Sequence, residues 1–136
     1  MSFDVIQNKI AKIKSSVAIL ESLRENCAER IKHDAQYRGA IFFYLYTMAD
    51  SCVTLAQMIV KHKNLRSPQS YSDTIDILGE AGILPEAFAY EFARIAGFRN
   101  FLAHDYEKIN YEELCQIMLK KLEEVKTYLA FIDAAL

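Results

Sequence analysis

The sequence predicts an all-α fold: an antiparallel four-helix bundle with one short additional helix, forming a single domain over residues 1–136 and pairing as a homodimer. Three observations carry this. Apolar residues recur at alternating steps of four and three through long stretches, and no strand alternation of useful length occurs. Only four glycines and two prolines are present, too few for the turns of an all-β chain. The links between stretches are short, which favours antiparallel neighbours.

The first stretch carries Ile6, Ile10, Ile13, Val17 and Leu20, and Cys27 and Ile31 continue the stripe, so one long helix is expected from about Phe3 to Lys32. A second runs from about Ala35 to His62 with a seam of Leu45, Met48, Cys52, Leu55 and Ile59. Its first half is apolar nearly all round through Ile41, Phe42, Phe43, Tyr44 and Tyr46. In so small a domain the extra face is expected to meet a second subunit, because large exposed apolar patches are uncommon on monomers. Pro68 and serines mark a connector, and Ser70 or Ser72 is placed to cap a short helix from Tyr71 to Leu78, ended by Gly79 or Gly82. Pro85 suits the first turn of the next helix, which carries Phe88, Phe92, Ile95, Phe98 and Leu102 and stops near Ala103 or His104. The last helix opens at Asn110, with Glu113 completing a capping-box-like pair, and buries Leu114, Met118, Leu122, Val125, Leu129 and Ile132.

Composition narrows the class. The net charge of −2 provides no global field to attract nucleic acid, so RNA contact needs a local patch or an active-site cation. Cys27, Cys52 and Cys115 are odd in number and lack a C-x-x-C spacing, which argues against zinc and disulfide frameworks. Free thiols fit a reducing cytoplasm. The start, Met1-Ser2-Phe3-Asp4, does not read as a signal peptide. The most apolar run, Ala40 to Ala49, is about half the length that crosses a bilayer, so no membrane association is expected.

Chemistry concentrates in Gly97-Phe98-Arg99-Asn100-Phe101-Leu102-Ala103-His104-Asp105-Tyr106, an R-x4-H-x-Y pattern between two helical stretches. Arg99 offers a permanent cation with a planar fork of donors suited to phosphate. His104 offers a ring that exchanges protons near neutral pH. Tyr106 offers a hydroxyl. Taken singly, each has a blander reading: Arg99 as a surface ion-pairing residue, His104 as a helix-end histidine beside the dipole, Tyr106 as an amphipathic packing residue and Asn100 as a surface amide. On a continuous helix Asn100 and His104 share a face, as do Arg99 and Tyr106, whereas Arg99 and His104 do not align. A helix break at His104, or a second subunit, would bring these two to one substrate, and the apolar second helix favours the dimer. Phe98, Phe101 and Leu102 read as core rather than as a platform for bases. Asp50 lies on the more polar side of the second helix with Thr47, Thr54 and Gln57; it reads first as a solvated carboxylate and second as an orienting partner for Arg99 and His104. Lys61, His62, Lys63 and Arg66 form a basic helix end read first as dipole compensation at a solvated end and second as a contact for an RNA backbone or a partner. His33 and His62 lack ligand spacing, and no metal site is expected.

These residues resemble the signature of the HepT-like toxins of the HEPN superfamily, from Gly97-Phe98-Arg99-Asn100 through His104-Asp105-Tyr106. The resemblance extends to Ser70-Tyr71-Ser72-Asp73, Leu78 and Gly82-Ile83-Leu84, and to Asp50 on the second helix. It implies a HEPN-like homodimeric bundle in which arginine and histidine of both subunits face a shared cleft. It further implies a metal-independent endoribonuclease toxin paired with a minimal nucleotidyltransferase antitoxin. That partner would use ATP and magnesium, and the chain itself would need no cofactor. By position, Arg99, His104 and Asn100 would be catalytic and Tyr106 would accept AMP, which silences the toxin. The expected chemistry is attack of a ribose 2′-hydroxyl on the adjacent phosphorus, with His104 moving a proton and Arg99 stabilising the phosphorane. The rival expectation is a non-catalytic helical module that binds the nucleotidyltransferase and accepts its nucleotide.

Overall fold

In the computed structural model, which describes residues 3–136, the helices are α1 (Phe3–Leu23), α2 (Cys27–His33), α3 (Ala35–His62), α4 (Tyr71–Glu80), α5 (Glu86–Phe92), α6 (Arg94–His104) and α7 (Tyr111–Ala135), with a 3-10 turn at Tyr106–Lys108 before α7. The polar start read at Met1 and Ser2 lies outside the described residues. Side-chain pairs set the directions. Lys14 meets Asp133 at 3.3 Å and Glu21 meets Lys126 at 3.1 Å, so α1 and α7 run antiparallel. Asp50 and Phe42 meet Arg99 and Tyr106 respectively, so α3 and α6 also run antiparallel. The Tyr128 hydroxyl of α7 donates to the Cys52 carbonyl of α3 at 3.0 Å across the core, with the Phe92 ring stacked on Tyr128 at 4.5 Å. All predicted seam residues of α1, α3 and α7 are buried. By length and composition α3 also passes as a membrane span, yet half of that apolar window is buried inside the bundle.

The first long helix is instead two. A continuous helix would send the Cys27 amide to the Leu23 carbonyl. Here that carbonyl accepts the Tyr37 hydroxyl, the Cys27 amide turns to Arg24 O at 3.3 Å, and Asn26 takes a left-handed conformation at φ 57°. Asparagine tolerates that region better than most residues. The apolar stripe survives the break, since Cys27 and Ile31 are still buried. The fourth predicted helix is also divided, at Ala93, which stays close to helical backbone (φ −56°, ψ −22°).

The cysteine expectation fails. Cys27 and Cys115 form a disulfide with Cα atoms 5.9 Å apart, and only Cys52 is a free, buried thiol. Spacing could not show this, because the pair is separated by 88 residues and meets only where α2 packs on the start of α7. The Lys32–Glu112 ion pair, 2.7 Å, fastens the same two helices. The thiol argument for a reducing compartment therefore falls away.

Caps follow the sequence closely. Asp34, Ser70 and Asn110 accept from the amides of Tyr37, Asp73 and Glu113. Ser70, not Ser72, caps α4. Gly82 ends it at φ 77°, with Ile83 N returning to Leu78 O at 3.0 Å. Gly79 is needed for a different reason: a Cβ there would lie 2.7 Å from the Ala89 Cβ of α5.

Candidate functional site

One face of α3 receives Arg99 and Tyr106 of the motif. Arg38, Phe42, Tyr46 and Asp50 recur every four residues and so line one side of that helix. The Arg38 guanidinium carbon lies 4.8 Å from the Tyr111 ring centre. Phe42 meets the Tyr106 ring edge-on at 5.5 Å. Tyr46 lies 5.4 Å from the Arg99 guanidinium carbon, and Asp50 Oδ1 accepts from Arg99 Nε at 3.0 Å.

Arg99 is the most constrained of the predicted residues. Besides Asp50 and Tyr46 it has the Tyr71 ring of α4 at 5.4 Å, and its Nη1 donates to Asn100 Oδ1 at 3.1 Å. The hydrogen bond it donates to Asp50 raises its already high pKa further, so the guanidinium is a fixed charge. Asp50 is thus the orienting partner of Arg99 rather than the solvated carboxylate favoured from sequence. Arg99 Nε is committed to Asp50, and the outer edge of the fork retains donors for an anion.

His104 contrasts with this. It is the exposed last residue of α6, and its side chain makes no hydrogen bond or ion pair to the described residues. Helix α6 is unbroken from Arg99 to His104, which sets the two Cα atoms about 7.5 Å apart along the axis and about 140° apart around it. A break that would realign them within one chain is therefore absent; α6 stops after His104, at Asp105 (φ −127°, ψ 15°). Because of that stop, Tyr106 does not share a helical face with Arg99. It reaches the same side of α3 through the 3-10 turn, its ring 47% exposed. Phe98 and Phe101 are half-buried and pack against the core, as expected, and Leu102 belongs to it.

The sequence and the architecture match known proteins. A model described as "Ribonuclease HepT-like" matches residues 6–132. The chain belongs to the HepT-like ribonuclease family. It is 24% identical to the mRNA nuclease HepT of Shewanella oneidensis over 131 residues, 96% of this chain and 98% of that one. A relative from Archaeoglobus fulgidus, which carries a provisional RNase name, is 33% identical over 111 residues, 82% of this chain and 79% of its own. Among solved structures, the tri-AMPylated Shewanella oneidensis HEPN toxin in complex with its MNT antitoxin superposes with a TM-score of 0.84 at 24% identity, covering 98% of this chain and 99% of that one.

Within this HepT-like chain, two site residues had not been picked out from sequence: Tyr46 and Tyr71. Tyr46 carried a usable signal, since it lies four residues before Asp50 and shares its helical face. Tyr71 lies in the segment Ser70-Tyr71-Ser72-Asp73 that shares the family resemblance, but only the packing of α4 beside α6 brings it to Arg99. Of the basic cluster, Lys61 and His62 lie in the last turn of α3, whereas Arg66 lies beyond it and forms paired hydrogen bonds to Asp73 at 2.8 Å and to Glu80 at 2.9 and 3.0 Å. No group of three His, Cys, Asp or Glu side chains able to hold a metal occurs among the described residues.

Proposed function

We propose that this HepT-like ribonuclease is a toxin endonuclease cutting RNA at a site that Arg99 and His104 build across a homodimer. The observation that carries the reading is the R-x4-H-x-Y motif at the end of α6 and the turn after it, with Arg99 pre-positioned by Asp50 and Tyr46 and His104 left open to solvent. The ribose 2′-oxygen attacks phosphorus while His104 takes its proton. The bond from phosphorus to the 5′-oxygen breaks, and that oxygen receives a proton, from the partner copy's histidine or from water. The products are a 2′,3′-cyclic phosphate and a free 5′-hydroxyl. Arg99 meets the charge on the phosphorane oxygens, and Asn100, bonded to Arg99, orients that end of the site. No metal or cofactor is required of this chain. The exposed Phe43 ring of α3, at 60%, with the half-buried Tyr44 against it, supports the dimer, and we place the protein in the cytoplasm with its RNA.

Control by a minimal nucleotidyltransferase antitoxin is supported by the complex in which the Shewanella toxin was solved. Tyr106 is the proposed acceptor: it is exposed, and its ring is held edge-on by Phe42. Its oxygen would attack the α-phosphorus of ATP, releasing pyrophosphate, with ATP and magnesium bound by the partner. The new phosphodiester would compete with RNA phosphate for Arg99.

The test is cleavage of RNA by the purified protein in chelator. Wild type is expected to cut. The Arg99→Ala, His104→Ala double variant is expected to lose at least about a hundredfold in rate; full activity in it ends the nuclease reading. The exposure of Tyr106 also fits the second reading, a non-catalytic nucleotide acceptor. An inert wild type whose Tyr106 gains AMP when co-expressed with the transferase would establish that instead.

A further inference from the structure

We propose that Tyr71 is the base-binding residue of this site: its exposed ring stacks on the nucleobase beside the phosphate held by Arg99, and so determines where RNA is cut. The inference rests on the ribonuclease reading above and adds a specificity element to it.

Position is the first argument. Tyr71 is the first residue of α4, 42% exposed, with its ring centre 5.4 Å from the Arg99 guanidinium carbon. A base lies one sugar away from its phosphate, which is the same length scale. Tyr46 approaches the guanidinium at the same distance but is half-buried on α3, so Tyr71 is the ring with surface to offer. Its hydroxyl has no hydrogen-bond partner among the described residues, and α4 enters the core through Thr74, Ile75, Ile77 and Leu78 without it.

Rigidity is the second argument. An exposed ring makes a useful platform only if its backbone is already ordered. Ser70 Oγ accepts from Asp73 N at 3.0 Å, Thr74 Oγ1 donates to Ser70 O at 3.1 Å, and Gln69 N donates to Asp73 Oδ2 at 3.0 Å. Arg66 then clamps Asp73 and Glu80 together, which fixes the first and last turns of α4 to one side chain.

The third argument is charge. A chain of net charge −2 gathers RNA poorly by its overall field, and Asp50 offsets Arg99 within the site. Stacking is independent of charge and tolerant of backbone path, and aromatic platforms are how single-stranded RNA is commonly held. The other exposed rings suit this less. Tyr90 stands in a groove with Asp76, Glu80 and Glu86, which repel phosphate, and Tyr106 is the residue reserved for modification.

The experiment compares wild type, Tyr71→Ala, Tyr71→Phe and Tyr71→Trp on short oligoribonucleotides, with an intact or an abasic nucleotide beside the cleaved bond. Tyr71→Ala is expected to raise KM about 10- to 100-fold on intact substrate, to spread the cleavage positions and to lose the distinction between intact and abasic RNA. Tyr71→Phe and Tyr71→Trp are expected to restore KM and position. An Ala variant that lowers kcat equally on both substrates, with KM and pattern unchanged, would overturn the proposal, because Tyr71 would then only hold Arg99. Photo-crosslinking of wild type to RNA bearing 5-iodouracil beside a 2′-deoxy scissile position needs neither a folded variant nor turnover: adducts on Tyr71 uphold the inference, and adducts elsewhere refute it. A wild type that fails to cut but crosslinks at Tyr71 would sink the nuclease reading and leave the base site standing.

Discussion

Arg99 and His104 leave the same helix into opposite surroundings. Arg99 is bonded to Asp50 and Asn100 and flanked by Tyr46 and Tyr71, whereas His104 stands exposed at the helix end with no side-chain hydrogen bond or ion pair to the described residues. The difference is instructive about how one chain builds half a site. A group that must meet developing charge gains from being fixed beforehand, since no reorganisation is then needed during reaction. A group that carries a proton works in contact with the substrate and can acquire its partners when RNA or a second copy arrives. The rotation of about 140° between the two positions on an unbroken helix makes the second copy the natural source of the missing half.

The largest effect comes from mixing two inactive variants. Arg99→Ala and His104→Ala proteins, each slowed on the order of a hundredfold or more, should regain up to about a quarter of wild-type rate when their subunits are exchanged, because one composite site per mixed dimer is then intact. Mixing without recovery would place both groups of each site in one chain and break the comparison.

Next comes the cystine. It closes a loop of 88 residues between α2 and the start of α7. Cys27→Ser should lower unfolding stability by up to about 4 kcal/mol on chain-entropy grounds, read by denaturant titration under non-reducing conditions. Equal stability with and without reductant in the wild type would remove the bond from consideration.

A smaller change should separate the held residue from the open one. Asp50→Asn keeps the shape but weakens a charge-assisted bond that is partly open to solvent, and about a tenfold fall in kcat is expected. The same change in an Arg99→Ala background should add nothing, whereas with His104→Ala it should add its full effect. Additivity with Arg99→Ala would disprove orientation through Arg99.

The smallest effect is on pH. Hydrogen bonds from Arg66, and then from the Gln69 amide, hold Asp73 down at about 2 against an ordinary 3.8. Its contribution is therefore complete above about pH 4 and is lost as the pH falls toward 2. Asp73→Asn should melt below wild type at neutral pH, and the gap should close across that acid range. A gap independent of pH would mean that Ser70 capping, not the Arg66 pair, holds α4 and the Tyr71 platform.

Much of this molecule was legible as a string of residues because helices are local. Stripes at three- and four-residue steps located the buried faces of α1, α3 and α7, and Ser70 and Asn110 marked two helix starts. The motif identified Arg99, Asn100, His104 and Tyr106 as candidates because their chemistry is written in their side chains. What the string could not carry was any relation between distant segments. The Cys27–Cys115 bond, the Asp50–Arg99 bond and the approach of Tyr71 to Arg99 join residues 88, 49 and 28 positions apart. Even the break after Leu23 was decided by Tyr37, whose hydroxyl takes the carbonyl that a longer helix would have used. Periodicity reports which face of a helix is apolar; only packing decides which neighbour that face meets, and the site of this protein is made of such meetings.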